Sequence, residues 1–278
     1  MVVSQLLTKS NEMLKNAGIQ SYILDSHLLL CEFLKKDKAF IFSNKDLKVH
    51  NSDVFFAMVQ RRASFEPMQY ILGRCEFMSL DFEVNPSVLI PRPDTETLVQ
   101  HVINYVGEKS LSMLEIGTGS GCVSVSCAKS CKNLSITAVD ISREALDTAK
   151  RNAKKHSIEI IEFVQMNILE DFPKKQFDVV VSNPPYIETD SIHSLMNDVK
   201  DFEPLQALDG GTDGLMFYRR IAAKSRGCGF IAFEVGYSQS RAVSKIMGDL
   251  GYIDIEIVKD LSSVERVVSA KKNFPVTF

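Results

Sequence analysis

The chain has 278 residues, of which 45% are hydrophobic and 24% are charged, enough apolar material for one large domain or two modest ones. Its formal net charge of −3 gives no general attraction to nucleic acid or acidic membranes, because such partners are usually met by an excess of Lys and Arg. The six cysteines form no C-x-x-C pair and have no His at zinc-ligand spacing, which argues against a metal site or a disulfide framework. Without a basic leader or a long apolar run, the sequence predicts a cytoplasmic protein with no membrane anchor.

Residues 1–75 carry the spacing of amphipathic helices. In "QLLTKSNEML" and "LDSHLLLC", apolar residues recur every three or four positions, and Gly18 lies between the two stretches. We therefore predict a small N-terminal helical domain over residues 1–75. Between residues 76 and 93 the period shortens to two and several prolines follow, which predicts a β-hairpin connector.

From residue 94 to residue 278, strand-like and helix-like segments alternate. This alternation predicts an α/β domain with a mostly parallel sheet that is covered on both faces. The candidate strands are "SMLEIG", "SITAVD", "EFVQMN", "FDVVVSN", "CGFIAFEV" and "IDIEIVK". Helical patterns cover residues 94–106, 121–131, 142–156, 214–226 and 238–250.

A glycine-rich turn follows the first of these strands. In "LEIGTGSG", three alternate glycines, Gly117, Gly119 and Gly121, follow the acidic residue Glu115. Alternate glycines let a backbone turn tightly and approach a ligand, while the new helix offers free N–H groups. Cys122 stands where a dinucleotide-binding fingerprint requires glycine, and no P-loop Gly-Lys-Ser/Thr follows. The acidic lead-in suits a ligand that carries an ammonium group; the alternative is a turn that needs glycine for steric reasons alone.

Asp140 ends the second strand in "SITAVDIS", and Ser142 follows it as a predicted helix N-cap. A carboxylate at this place can accept hydrogen bonds from both hydroxyls of a ribose. The alternative is an acidic residue that only interacts with the positive end of the helix dipole. Together, the glycine turn and Asp140 resemble the Rossmann-like class I S-adenosylmethionine-dependent methyltransferases, in which an aminoacyl sulfonium and a ribose occupy these two places.

In the stretch "VVVSNPPYIETD", an apolar run typical of a buried strand ends abruptly. Asn183 marks the carboxyl end of the strand, where open α/β sheets bind ligands, and neither Pro184 nor Pro185 can donate to a sheet ladder. The Asn183 side-chain oxygen and the Pro184 carbonyl can accept hydrogen bonds from both N–H groups of a planar NH₂, beside the flat ring of Tyr186. Accepting both bonds pushes electron density onto a weakly nucleophilic nitrogen, so the motif predicts methyl transfer to an amide or exocyclic amine.

Longer blocks resemble one methyltransferase family over nearly the full chain. They are "EPMQYILGRCEFMSLDFEVNPSVLIPRPDTETLV" at residues 66–99, "LEIGTGSGCVSVSCA", "FDVVVSNPPYI", "DFEPLQALDGGTDGLMFYRRI" and "FEVGYSQS" followed by "VERVV". The chain is similar to the HemK or PrmC family, which methylates a glutamine side-chain amide in class I peptide chain release factors. The resemblance implies an N-terminal domain that grips the release factor and a catalytic domain that receives its Gly-Gly-Gln loop.

The resemblance also implies roles for individual residues. The cofactor would be S-adenosyl-L-methionine, and the glutamine would be held by Asn183, Pro184, Pro185 and Tyr186. The cofactor would be lined by Gly117, Thr118, Gly119, Ser120, Gly121, Asp140, Asn167, Ile168 and Asn183. Asn167 replaces the acidic residue that is usual in the family, so we expect weaker cofactor binding rather than loss of the reaction.

Three functions stay open at this point, and the leading one is methylation of the release factor glutamine. The second is methylation of an exocyclic amine of a nucleic-acid base, which the acidic composition and the lack of a strongly basic recognition module disfavour. The third is a cofactor-binding protein without activity, which the intact Asn-Pro-Pro-Tyr motif disfavours. Outside the motifs, Arg92 and Asp94 either shape the cofactor entrance or only cap the start of a helix. We interpret Glu203 and Pro204 as structural support for the site.

Overall fold

The computed structural model describes residues 1–225 and 227–272, which form two compact units. The smaller unit contains Met1–Arg74 and Met196–Phe202, and the larger contains Cys75–Leu195 and the chain from Glu203 onward. Position 226, the end of a predicted helix, and positions 273–278 of the predicted catalytic domain lie outside the described residues. In the part of the chain that is described, no helix has both the length and the apolar character needed to cross a membrane.

The smaller unit is helical, as its sequence spacing predicts. Its helices are α1 Val3–Asn16, α2 Tyr22–Leu34, α3 Lys38–Ser43, α4 Ser52–Ala63 and α5 Met68–Leu72. Leu6, Leu29 and Phe55 are fully buried in its core. Beside this core, Arg62 Nε lies 2.7 Å from Asp25 Oδ2, so the buried carboxylate of Asp25 has a cationic partner.

A β-hairpin follows, formed by β1 (Arg74–Phe77) and β2 (Leu80–Glu83). Met78 and Ser79 join the strands with φ of 50° and 57°, the backbone of two-residue turns that match the twist of paired strands. Phe77 and Phe82 are buried in the core of the larger unit, with ring centroids 6.1 Å apart. The segment predicted as a connector therefore also supplies core side chains.

A seven-stranded sheet forms the centre of the larger unit. Its strands are β3 Leu111–Ile116, β4 Leu134–Asp140, β5 Ile161–Gln165, β6 Val179–Ser182, β7 Phe230–Glu234, β8 Ile253–Lys259 and β9 Glu265–Lys271, in the spatial order β5-β4-β3-β6-β7-β9-β8. The strands from β3 to β7 pair in parallel, and β9 pairs antiparallel with both β7 and β8. The predicted α/β class is confirmed, and all six predicted strands are present. The sequence did not predict β9, because no helix separates it from β8 and the strand–helix alternation therefore does not reveal it.

Helices flank this sheet at the predicted places. They are α6 Thr95–Val106, α7 Cys122–Ser130, α8 Arg143–Lys155, α10 Met216–Lys224 and α11 Ser240–Asp249, while the short α9 (Asn197–Lys200) belongs to the smaller unit. The Ser142 hydroxyl accepts a hydrogen bond from the Ala145 backbone N–H at 3.1 Å, which confirms the predicted N-cap of α8.

Alternate side chains of the sheet fill two separate cores. On β6, Val179 and Val181 pack into one core with Leu98 of α6, while Val180 packs into the other with Tyr218 of α10. Both faces of the central strand are therefore covered, which explains its continuous apolar run.

The sheet grows in two directions from its centre. β4 and β5 extend from one side of β3, whereas β6 and β7 extend from the other. Such a reversal opens a crevice at the carboxyl ends of the two central strands. The glycine turn follows β3 and the Asn-Pro-Pro-Tyr motif follows β6, so both predicted site segments begin at this crevice.

Candidate active site

The glycine turn and the Asn-Pro-Pro-Tyr motif lie side by side. Ile116 at the end of β3 pairs with Ser182 at the end of β6, so Gly117 and Asn183 leave the sheet at the same level. A Cβ atom on Gly117 would lie 3.9 Å from the Asn183 carbonyl oxygen. Both residues line the same cavity of about 680 Å³.

The three glycines of the turn have positive φ, 74° at Gly117, 54° at Gly119 and 79° at Gly121, a conformation that favours glycine. A Cβ on Gly119 would meet nothing within 4 Å, so the turn leaves open space beside its backbone. Gly121 differs, because its Cβ would lie only 3.0 Å from the Cβ of Ala149 in α8. Gly121 is also absent from the described residues that line the cavity; its packing on α8 explains the glycine, and its cofactor contact stays a prediction.

Glu115 lies buried at the base of the turn and lines the cavity. Its Oε2 accepts hydrogen bonds from the Thr118 hydroxyl at 2.7 Å and from the Ser124 hydroxyl. Burial raises the pKa of Glu115 to about 7, although these hydroxyls lower it. A cationic ligand group nearby would favour the ionised form. Glu115 therefore ties the turn to α7 and can interact with positive charge.

Asp140 lines the cavity from the end of β4. Its Oδ2 accepts from the Gly119 N–H at 2.8 Å and its Oδ1 from the Ser142 N–H at 3.0 Å. Burial raises the pKa of Asp140, while these N–H donors lower it. Each carboxylate oxygen keeps further acceptor capacity, so Asp140 is held in place and can still accept from ligand hydroxyls.

The Asn183 side chain is fixed from three elements. It follows β6, and its Nδ2 donates to the hydroxyl of Thr95 at the start of α6 at 3.2 Å. Glu234 at the end of β7 lies beside it, because Ser182 and Phe233, the residues before these two, are paired between β6 and β7. Burial raises the pKa of Glu234 to about 7, against interactions with the side chains of Thr95 and Asn183 that lower it. Asn183 is thus part of a buried polar network.

Two glycines let loops pack closely on the motif, Gly210 on the backbone of Pro185 and Tyr186 and Gly236 on the Tyr186 ring. A Cβ on Gly210 would lie 2.7 Å from Tyr186 Cα and 2.8 Å from the Pro185 oxygen, and one on Gly236 would lie 3.0 Å from Tyr186 Cδ2. Gln239 completes this support, because its Nε2 donates to the Tyr186 carbonyl at 2.9 Å and its Oε1 accepts from the Gly236 N–H at 3.0 Å. Packing and hydrogen bonds therefore hold the motif backbone in one conformation.

Tyr186 is the one motif residue whose role in holding the glutamine has no support from the cavity lining of the described chain. Asn183, Pro184 and Pro185 line the cavity, but Tyr186 is absent from the described lining residues. Burial raises the pKa of the Tyr186 phenol to about 12. Its ring packs against Gly236, and the flat wall that it would offer the glutamine stays a prediction.

Most of the predicted cofactor residues line this cavity. They are Gly117, Thr118, Gly119, Ser120, Asp140, Asn167, Ile168 and Asn183. The Oδ1 of Asn167 also accepts from the Leu169 N–H at 3.1 Å. Part of the acceptor capacity of Asn167 is therefore used within its own turn.

Two ion pairs support the surroundings of the cavity. Arg92, which lines the cavity, places Nη2 2.7 Å from Oε1 of Glu203, whose side chain is 1% exposed. Arg266 of β9 places Nη2 2.7 Å from Oδ2 of Asp94, next to the start of α6. Arg92 and Glu203, which the sequence assigned to separate roles, are therefore partners.

Sequence reasoning missed Thr95, Glu234 and Gln239. A signal existed for Glu234, because it ends an apolar strand at the same sheet edge as Asp140, and acidic strand ends at that edge often serve ligands. Thr95 and Gln239 carry no such signal, because their partners Asn183 and Tyr186 are distant in the sequence.

Comparison with known proteins agrees with this geometry. The PrmC N-terminal domain model matches residues 5–73, and the methyltransferase small domain model matches residues 93–199. A release factor glutamine methyltransferase from Clostridium botulinum is 39% identical over 282 residues, covering 98% of this chain and 100% of that relative. One from Clostridium acetobutylicum is 39% identical over 280 residues, covering 97% of this chain and 98% of that relative.

A solved structure shows the fold independently. The crystal structure of a methyltransferase from Pyrococcus furiosus has a TM-score of 0.53 and 19% identity, and the match covers 71% of this chain and 91% of that one. The predicted Rossmann-like methyltransferase fold, with its N-terminal helical domain, is thus confirmed. Because the matches to relatives extend over nearly its full length, the chain belongs to the family of release factor glutamine methyltransferases.

Proposed function

We propose that this protein transfers a methyl group from S-adenosyl-L-methionine to the side-chain amide nitrogen of the glutamine in the Gly-Gly-Gln motif of class I peptide chain release factors. The observation that carries the proposal is the shared cavity, which Gly117, Asp140 and Asn183 line together. The names of relatives that match nearly the whole chain support the choice of substrate.

The residues of the glycine turn fit this cofactor. Gly117 and Gly119 leave open space that a Cβ would fill, Asp140 keeps acceptor capacity for ribose hydroxyls, and Glu115 suits the amino group of a methionine moiety. When bound, S-adenosylmethionine supplies an electrophilic methyl group on a sulfonium. Cofactor contacts from Asn167 and Ile168, which also line the cavity, are part of the proposal.

The Asn183 Oδ1 and the Pro184 carbonyl accept hydrogen bonds from the two N–H groups of the glutamine amide. This contact pushes electron density onto the amide nitrogen and aims its lone pair. The nitrogen held in this way would take the methyl group as the carbon–sulphur bond of the donor breaks, and the proton lost from nitrogen would pass to water. Positioning of this kind lowers barriers by roughly 7–11 kcal/mol in well-oriented reactions. The site needs no strong general base, because the proton can leave to water after the transfer.

The smaller helical unit is proposed to bind the release factor. Its match to the PrmC N-terminal domain supports this role. Ile23, Phe42 and Val54 of this unit are more than half exposed, and they offer apolar contact area for a protein partner. We further propose that the protein acts in the cytoplasm, where release factors work.

Transfer of a labelled methyl group tests the proposal. Purified protein is incubated with radiolabelled S-adenosylmethionine and, in parallel, with a class I release factor, the same factor with its motif glutamine changed to alanine, duplex DNA and ribosomal RNA. We expect label in the unmutated release factor alone. Label in nucleic acid would support the exocyclic-amine alternative, and no label in any substrate would contradict methyltransferase activity.

A further inference from the structure

A buried carboxyl lies directly behind the Asn183 side chain. Glu234, the last residue of β7, is 2% exposed and is absent from the described residues that line the cavity. It lies beside Asn183, because Ser182 and Phe233, the residues before these two, are paired between β6 and β7. Interactions with the side chains of Thr95 and Asn183 lower its pKa, against the effect of burial. The proposed methyl transfer depends on Asn183, but Glu234 has no role in it so far.

An asparagine amide can face a ligand with either its oxygen or its NH₂ group, and its surroundings decide which. An ionised carboxylate only accepts hydrogen bonds, so Glu234 favours the NH₂ end of Asn183 on its side. The Nδ2 of Asn183 also donates to Thr95 Oγ1 at 3.2 Å. With Nδ2 engaged by Thr95 and an acceptor-only carboxylate beside it, Oδ1 is the end left for the cavity.

We propose that Glu234 is a positioning residue, whose ionised carboxylate holds the Asn183 amide with Oδ1 directed at the substrate nitrogen. This inference rests on the proposed function, because it concerns how the glutamine amide is received. Glu234 acts through Asn183 and does not touch the substrate.

Protonation of Glu234 removes its preference for one orientation of the Asn183 amide. A neutral carboxyl has an O–H that can donate to Asn183 Oδ1, which stabilises the flipped amide. The flipped amide presents NH₂ to the NH₂ group of the glutamine, and two donors cannot form the required hydrogen bond. Because burial raises the pKa of Glu234 to about 7, the fraction of molecules in which Asn183 Oδ1 faces the substrate increases as the pH rises through neutrality.

Charged and titratable groups from several elements face Glu234. Asp94 at the start of α6 raises its pKa, and Arg266 of β9 lowers it. Tyr186, Tyr218 of α10 and Cys122 of α7 also interact with it, and burial raises the pKa of each of these three groups. They stay protonated near neutral pH, so their charge does not change in the range where Glu234 titrates.

The test compares Glu234→Gln with the wild type. Glutamine keeps the size of the side chain but can donate to Asn183 Oδ1. We expect kcat for release factor methylation to fall about 10- to 100-fold, comparable with the loss of one preorganised contact, while KM and cofactor affinity by calorimetry stay within about twofold. The rise of wild-type kcat through pH 7 should be smaller in the variant.

A matched control comes from a similar pair elsewhere in the sheet. The Thr137 hydroxyl donates to Glu162 Oε2 at 3.1 Å between β4 and β5, and neither residue is among those that line the cavity in the described chain. Glu162→Gln should therefore leave both kcat and the pH profile unchanged.

Two further variants keep the test decisive if Glu234→Gln does not fold. Thr95→Ser retains the hydroxyl and should keep kcat near the wild type, whereas Thr95→Val should lower kcat. A folded Glu234→Gln with wild-type kcat and pH profile, or equal kcat for the two Thr95 variants, would overturn the inference while the proposed function stands. A wild type that labels no release factor would overturn both.

Discussion

At the scale of single residues, Asn183 has the clearest expected effect. Its Oδ1 is proposed to accept from the substrate amide, so Asn183→Ala removes one preorganised polar contact. Turnover should fall by about 10²–10³, while cofactor affinity is mostly retained. Single-turnover kinetics and calorimetry measure the two quantities. Asn133→Ala is a control of the same type, since Asn133 is exposed and only donates to the Glu108 carbonyl at 3.2 Å. Turnover comparable with the wild type would remove Asn183 from its role.

At Asn167, a substitution is expected to improve binding of the cofactor. Its Oδ1 already accepts from the Leu169 N–H at 3.1 Å, and its side chain is uncharged at a place that lines the cavity. Asn167→Asp keeps this turn contact and adds a charged acceptor. We therefore expect tighter cofactor binding in the variant, measured by titration calorimetry at neutral pH. An unchanged or weaker affinity would refute the proposed contact between this position and the cofactor.

At the scale of elements, the loops that cover the motif backbone have no room for side chains. A Cβ on Gly210 would lie 2.7 Å from Tyr186 Cα, and backbone at that distance cannot move aside cheaply. Gly210→Ala should lower both kcat and the melting temperature. Gly248→Ala is the matched control, because its Cβ would meet its nearest atom, Ile255 Cδ1, at an ordinary 3.7 Å. Equal effects of the two substitutions would contradict the packing argument.

Local sequence patterns were sufficient for most elements but not for every contact between them. Helix spacing and apolar runs are properties of neighbouring residues, so they predicted the strands from β3 to β8 and the five longer helices between them in the right order, which are α6, α7, α8, α10 and α11. The β9 strand was missed because it returns antiparallel between β7 and β8, a pairing that no local pattern encodes.

The residues of the site also fall into those that local sequence predicted and those that it did not. The motif glycines, Asp140 and Asn183 follow strand ends, and the topology of an open α/β sheet brings such ends together. The Gly121 packing role and the position of Tyr186 depend on Ala149 and Gly236, which are remote in the sequence. Contacts of this kind become visible only in three dimensions.

At the scale of the whole molecule, Glu115 and Glu234 make stability depend on pH. Burial raises the pKa of each from 4.5 to about 7. A carboxyl that binds its proton more tightly in the folded state contributes stability below its unfolded pKa, and this contribution is lost as the pH rises towards its folded pKa. The free energy of unfolding of Glu234→Gln, relative to the wild type, should therefore rise between about pH 4.5 and pH 7. Urea unfolding of both proteins at pH 5 and pH 8 measures this difference, and a constant difference would contradict the assignment.

The account as a whole depends on the methyl donor and the glutamine amide meeting in one cavity. A compound in which the cofactor skeleton is linked through its sulphur position to the amide nitrogen of a Gly-Gly-Gln peptide occupies both places at once. Calorimetry should show it binding about 10²–10⁴-fold more tightly than S-adenosylmethionine or the peptide alone, and both Asp140→Ala and Asn183→Ala should weaken it. Binding no tighter than the cofactor alone, or unaffected by Asn183→Ala, would contradict the shared cavity.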